Sequence, residues 1–187
     1  NEDLRDLVDY DALQAWRDQC LNPNHPCERG SAQNPDIFFQ SKEAANKFYD
    51  TLADTVNTYM TKLSGITGRN YKPFDYYGAP DAERIIIAMG SVCETIEETI
   101  DYLMAKGEKV GFLQVHLYRP FSIKHFMEAL PETVKTITVL DRTKEPGALG
   151  EPLYTDVCSA LIESGKMAKV LAGRYGLSSK DVTTGQI

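Results

Sequence analysis

Nowhere in this chain do apolar residues run for the ~20 positions that a membrane-spanning helix requires, so the sequence reads as soluble. Basic residues are also in deficit: 20 Lys and Arg stand against 27 Asp and Glu, a formal net charge of −7, and no segment gathers them into a stripe. That argues against nucleic acid as a partner, because phosphate neutralisation needs clustered cations. The four cysteines, Cys20, Cys27, Cys93 and Cys158, are scattered without any Cys-x-x-Cys spacing. Zinc and iron–sulfur patterns are therefore missing, and a reducing cytoplasm is the simple reading. No Gly-x-Ser-x-Gly elbow marks a hydrolase nucleophile. Asn1-Glu2-Asp3 brings no initiator Met, no basic n-region and no apolar h-region; the chain reads as cut from something larger.

What is present suffices for a core, with 42% hydrophobic residues over 187 positions. Residues 1 to about 40 open with a short helical pattern (Leu4, Leu7, Val8, then Leu13, Ala15, Trp16). They then lose periodicity through Leu21-Asn22-Pro23-Asn24-His25-Pro26 and Gly30-Ser31-Ala32-Gln33-Asn34-Pro35, which reads as an extended arm wrapping another surface. Ser41 is placed to cap one long amphipathic helix, Ala45 through Leu63, that stops at Gly65. From Tyr71 the pattern alternates. An edge strand is expected around Lys72 to Tyr77, and Arg84-Ile85-Ile86-Ile87-Ala88-Met89 has the continuous apolar character of a parallel strand covered on both faces. Ser91-x-x-Glu94 predicts a capping box for a helix to Gly107. Strands follow at Lys109 to Leu117, Lys135 to Leu140 and Lys169 to Ala172, with a short helix from Ser122 to Leu130 and another from Glu151, where Pro152 suits the first turn. The pattern predicts an α/β fold, an open mostly parallel sheet with flanking helices and an N-terminal helical arm. The expected organisation is 1–70 for the arm and long helix, 71–165 for the α/β core, and 166–187 for the last strand and the start of a following domain.

Ligands on such sheets gather beyond the carboxyl ends of the strands, which directs attention to four loops. Gly90-Ser91-Val92-Cys93 is read as a helix cap. Arg119 in Tyr118-Arg119-Pro120-Phe121 fits either a carboxylate or phosphate ligand, or an interdomain ion pair. Asp141-Arg142-Thr143-Lys144-Glu145, beside Pro146-Gly147, is read as a docking surface rather than a catalytic cluster, since its mixed charges can pair among themselves. Gly173-Arg174-Tyr175-Gly176-Leu177-Ser178-Ser179-Lys180 brings glycines, hydroxyls and cations to a strand-to-helix turn, where backbone amides point at anions. It matches neither a Walker A loop nor Gly-x-Gly-x-x-Gly. Its residue types fit two readings, an anion site or an ordinary turn capped by Ser178.

Elsewhere the signals are weaker. His25 between Cys20 and Cys27 lacks a fourth ligand for a metal. His116 and His125 read as core or surface histidines, and Cys93 lies where a helix N-terminus favours a thiolate but no base is identifiable. Glu94, Glu97, Glu98 and Asp101 read as a solvated helix face. No catalytic residue and no metal ligand is assigned.

Five strings resemble the pyruvate:ferredoxin (flavodoxin) oxidoreductases: Asn34 to Gln40, Phe74 to Arg84, Tyr118 to Phe121, Asp141 to Leu153 and Gly173 to Lys180. They follow the family's order over nearly the whole chain. The resemblance implies an internal fragment, the family's second domain, similar to the transketolase C-terminal domain, with the first residues of the third. It implies a cytoplasmic, homodimeric parent that turns pyruvate and coenzyme A into acetyl-CoA and CO2, using thiamine diphosphate, Mg2+ and [4Fe–4S] clusters held in domains absent from this piece, and that passes electrons to ferredoxin or flavodoxin. Of the family's ligand sites only the coenzyme A loop maps here, onto Gly176, Leu177, Ser178, Ser179 and Lys180, so the piece is expected to hold part of that site and to be inactive alone. A free-standing nucleotide- or coenzyme A-binding module and a purely structural domain are the alternatives.

Overall fold

The computed structural model describes residues 2–27, 30 and 32–187; Asn1 and Ser31, both used in the sequence reading, lie outside them. The chain divides into two compact units, 1–71 and 72–187.

The first unit is helical. Its elements are α1 (Glu2–Leu7), α2 (Tyr10–Arg17), α3 (Pro35–Glu43), α4 (Asn46–Asp50) and α5 (Leu52–Thr67). The Asp9 carboxylate caps α2 by accepting from the Ala12 amide at 2.9 Å. Three expectations are corrected. Asn34-Pro35 is not extended arm but the start of α3, where the proline's fixed φ and missing N–H suit a first turn. Ser41 lies inside that helix and caps nothing. The single long helix is broken into three; between α3 and α4 the amides of Ala45 and Phe48 bond three residues back, to Lys42 and Ala45, and this tightening interrupts the α ladder. The last piece runs through Gly65 and stops at Gly68, whose left-handed backbone (φ 71°) ends it.

The second unit is an α/β sheet: β1 (Phe74–Gly78), β2 (Arg84–Ala88), α6 (Cys93–Met104), β3 (Val110–Val115), α7 (Ile123–Ala129), β4 (Thr136–Asp141), α8 (Pro152–Ser164) and β5 (Lys169–Arg174), then 3₁₀ turns at Leu177–Ser179 and Thr184–Gln186. The strand order is β1-β3-β2-β4-β5. β1 pairs antiparallel with β3, and every other pairing is parallel, as the alternating βα pattern predicts. The run Ile85-Ile86-Ile87-Ala88 serves two cores at once, because neighbouring residues of a strand point to opposite faces. Ile85 and Ile87 join Ile137, Val139, Phe126, Leu153 and Val157 beneath α7 and α8. Ala88 joins Phe112, Ile96 and Ile100 beneath α6, with Ile86 and Leu140 packed against them. The chain moves from β2 to β3 over the α6 face, then back past β2 to β4 and on to β5 over the other face. A single crossover hand demands that exchange of faces when direction reverses.

Candidate functional site

In an open sheet the crevice for ligands lies where successive connections leave in opposite directions. Here that point is the boundary between β2 and β4, neighbours whose following helices lie on opposite faces. Three strand exits are tied together beside it. The Tyr175 hydroxyl donates to Met89 O after β2 at 3.1 Å, the Tyr175 amide donates to Asp141 O at the end of β4 at 3.2 Å, and Arg142 Nε donates to Gly176 O at 3.0 Å. Gly176 is required twice over: its φ is +59°, and a Cβ there would meet Arg142 Nε at 3.2 Å.

The expected strand-to-helix turn at Gly173 to Lys180 is corrected. Among the described residues no α-helix follows β5. The chain makes one 3₁₀ turn in which Ser178 (φ 52°) and Ser179 (φ 60°) are both left-handed, and Ser178 sits inside the turn without capping it. Two cavities adjoin this segment. A polar one of about 190 Å³ is lined by Ser91, Thr95, Arg142, Ser179, Lys180 and Asp181, among others. A larger one of about 390 Å³ has an apolar wall of Ile86, Leu140, Leu177, Val182 and Ile187. Of the five positions singled out from sequence, Gly176 and Lys180 border both cavities, Leu177 the apolar one and Ser179 the polar one. Ser178 is exposed and borders neither.

The Asp141 loop is built differently from its sequence reading. Its charges do not pair among themselves. Asp141, 2% exposed, continues the inward face of β4 and accepts from the Leu153 and Tyr154 amides at 3.0 and 3.1 Å, so it caps α8 from a distance. Burial pushes its carboxyl above the usual range against the pull of those two bonds. Arg142 takes the other face and reaches the polar cavity. Glu151, 1% exposed, accepts from the Glu145 amide at 2.6 Å and pairs with Arg174, whose guanidinium holds it below the usual carboxylate range.

Other candidates are also placed. The predicted capping box is absent: α6 begins at Cys93 with Val92 as its N-cap and no side-chain cap, and Ser91 borders the polar cavity instead. Buried Cys93 has its thiol pushed up to about 11, chiefly by desolvation, which overrides the helix N-terminus. Arg119 pairs with Asp156 of α8 at 2.6 Å and lies over the Tyr118 ring, so its ion pair falls within this unit rather than between domains. His116 Nδ1 lies 2.8 Å from Lys72 O, and His125, buried in α7, lies 2.7 Å from Ser122 Oγ. Cys20 and Cys27 are exposed, and His25 makes a backbone bridge to Asn22. Ser91 and Arg142, read from sequence as part of a helix cap and of a docking loop, line the polar cavity, as does Thr95, which sequence reasoning did not single out. Alternation along β4 would have aimed Arg142 correctly, but only the strand order brings it to Ser91.

A family model described as pyruvate:ferredoxin oxidoreductase core domain II matches residues 82–187. The chain belongs to that family. The domain II match runs from just before β2 to the last 3₁₀ turn and takes in every residue of the two cavities. The chain is 59% identical over 186 residues to the pyruvate-flavodoxin oxidoreductase of Enterobacter agglomerans, covering 100% of this chain and 16% of that protein. It is also 59% identical over 180 residues to the pyruvate:ferredoxin oxidoreductase of Moorella thermoacetica, covering 96% of this chain and 15% of that one. It thus spans about 16% of the length of the curated relatives it matches. A solved 2-oxoglutarate:ferredoxin oxidoreductase from Magnetococcus marinus, with 2-oxoglutarate, coenzyme A and succinyl-CoA bound, superposes with a TM-score of 0.44 at 19% identity over 70% of this chain and 21% of that one. That overlap is too slight to bear on the site.

Proposed function

We propose that this chain is the second-domain segment of an enzyme that converts pyruvate and coenzyme A to acetyl-CoA and CO2 and passes the electrons to ferredoxin or flavodoxin. In this reading the segment contributes one edge of the coenzyme A site through Gly176, Leu177, Ser178, Ser179 and Lys180. The observation that supports it is the convergence of Ser179 and Lys180 on a polar cavity at the reversal point of the sheet, with an apolar cavity next to it and Lys180 bordering both. Coenzyme A joins a phosphate-bearing nucleotide to a long arm of low charge. An ammonium and a hydroxyl suit the first part and an apolar wall the second.

Thiamine diphosphate with Mg2+ would supply the decarboxylation and [4Fe–4S] clusters the electron path, both in other domains of the full-length enzyme. The residues here do not fit a cluster. Cys20 and Cys27 belong to the first unit, Cys93 is buried in α6 and Cys158 lies on α8. Among the described residues no group of three or more His, Cys, Asp or Glu could hold a metal ion. The partners in this reading are the remaining domains and a second copy of the full-length chain, in the cytoplasm, and the isolated segment is inactive. Among the described residues no helix is long and apolar enough to cross a membrane.

The test uses the full-length enzyme. The double change Ser179→Ala with Lys180→Ala should raise the KM for coenzyme A about tenfold, the loss expected of charge-assisted hydrogen bonds, and leave the KM for pyruvate unchanged. An unchanged KM for coenzyme A would assign the segment a purely structural role. A reading frame without flanking thiamine- and cluster-binding sequence would point to a free-standing module.

A further inference from the structure

Three side chains of the polar cavity have no task in that reading: Arg142 from the β4 exit, Ser91 from the β2 exit and Thr95 from α6. Arg142 is held in place. Its Nε is committed to Gly176 O at 3.0 Å, which fixes the guanidinium against the turn, and among the described residues it enters no ion pair. A guanidinium anchored through Nε still offers its two terminal nitrogens as a fork, the geometry that matches a phosphate. Lys180 brings a second cation to the same cavity against one carboxylate, Asp181. That is a local excess of positive charge in a chain whose net charge is −7. Two cations against one carboxylate leave a net positive charge that a bound anion would offset. Ser91, Thr95 and Ser179 add hydroxyl donors for the remaining oxygens.

Building on the coenzyme A reading, we infer that Arg142, Ser91 and Thr95 complete with Ser179 and Lys180 a phosphate-binding pocket, with Arg142 as its principal anchor. The segment then holds its ligand through three of the four parallel-strand exits, those of β2, β4 and β5, and the loop after β4 is a binding loop as well as a brace. Coenzyme A carries phosphate at two places, the ribose 3′-phosphate and the 5′-diphosphate, and dephospho-coenzyme A keeps only the second.

In the full-length enzyme, Arg142→Gln should raise the KM for coenzyme A about tenfold with the KM for pyruvate unchanged, and Ser91→Ala with Thr95→Val should raise it severalfold. The wild-type KM should climb with ionic strength and climb less steeply in Arg142→Gln, because a charge contact has been removed. If Arg142→Gln weakens coenzyme A alone, the pocket takes the 3′-phosphate; if it weakens dephospho-coenzyme A equally, the pocket takes the diphosphate. Ser91 and Thr95 separate binding from support of the Gly176 turn, since neither bonds to it. A Lys180→Ala enzyme with a raised KM beside Arg142→Gln and Ser91→Ala/Thr95→Val enzymes of wild-type KM would overturn this pocket and leave the coenzyme A edge standing. An effect of Arg142→Gln on both substrates with no change in salt dependence would also overturn it. Wild-type values for all the variants, Ser179 and Lys180 included, would remove the coenzyme A reading itself.

Discussion

Cys93 shows how far burial governs a single group. A thiol at the first position of a helix ordinarily gains acidity from the amides around it, yet this one lies in the core with Ile96, Ile100 and Phe112 and is pushed up to about 11. At pH 8 roughly one molecule in a thousand then carries the thiolate that reacts. A disulfide exchange reagent should label exposed Cys20 and Cys27 rapidly in the native chain and reach Cys93 only after unfolding. Rapid modification of the Cys93 peptide, read by mass spectrometry, would contradict the assignment. The sequence showed the helix end but not the core closing over it. Gly176 is the opposite case: a glycine between β5 and two serines announced a turn, and the φ of +59° bears that out. What the sequence could not announce was the arginine packed on it, because Arg142 is 34 residues away.

Among the elements, α8 is held at its start by acids that behave in opposite ways. Asp141 caps its first amides and is pushed up by burial, whereas Glu151 is drawn down by Arg174 and the Glu145 amide. A depressed carboxylate contributes stability that is fully present above its ordinary value of 4.5 and is lost as the pH falls through its lower native value. Asp141 runs the other way, since its native form takes up a proton sooner and offsets part of the acid loss. Glu151→Gln should therefore lower the unfolding midpoint at pH 7 and flatten its fall below pH 4.5; parallel wild-type and variant curves from pH 7 to pH 3 would show that the Arg174 pair contributes nothing. Strands and helices of this half were legible from apolar runs, Pro152 and Ser122. The cap on α6 was not, because Ser91-x-x-Glu94 has the right spacing but the helix starts two residues beyond Ser91.

For the whole molecule the two units differ in what they bury. Among the described residues of 1–71 only Ala53 is buried, while Trp16, Phe39 and Phe48 are 66%, 70% and 67% exposed. Unit 72–187 carries both hydrophobic cores. Expressed separately, 72–187 should unfold in one cooperative transition and 1–71 should show only a shallow helix melt, because short helices without packed faces are marginal in water. A sharp calorimetric transition from 1–71 alone would refute this. Helical periodicity was visible in that unit, but with so little buried the break between α3 and α4 is settled by local hydrogen bonding, which periodicity does not report.

Asp141 and Arg142 are chain neighbours sent to opposite sides of the sheet, one to the start of α8 and one to the cavity beside α6. The sign of the charge at each place is thus a matter of parity. A slip of β4 by one residue in one direction would set the Asp141 carboxylate among the hydroxyls beside Lys180, and a slip in the other would set the Arg142 guanidinium against amides that already carry partial positive charge. One miscount would spoil the cavity and the helix together, which makes the length of β4 between Ile137 and Asp141 as strict a specification as any side chain in it.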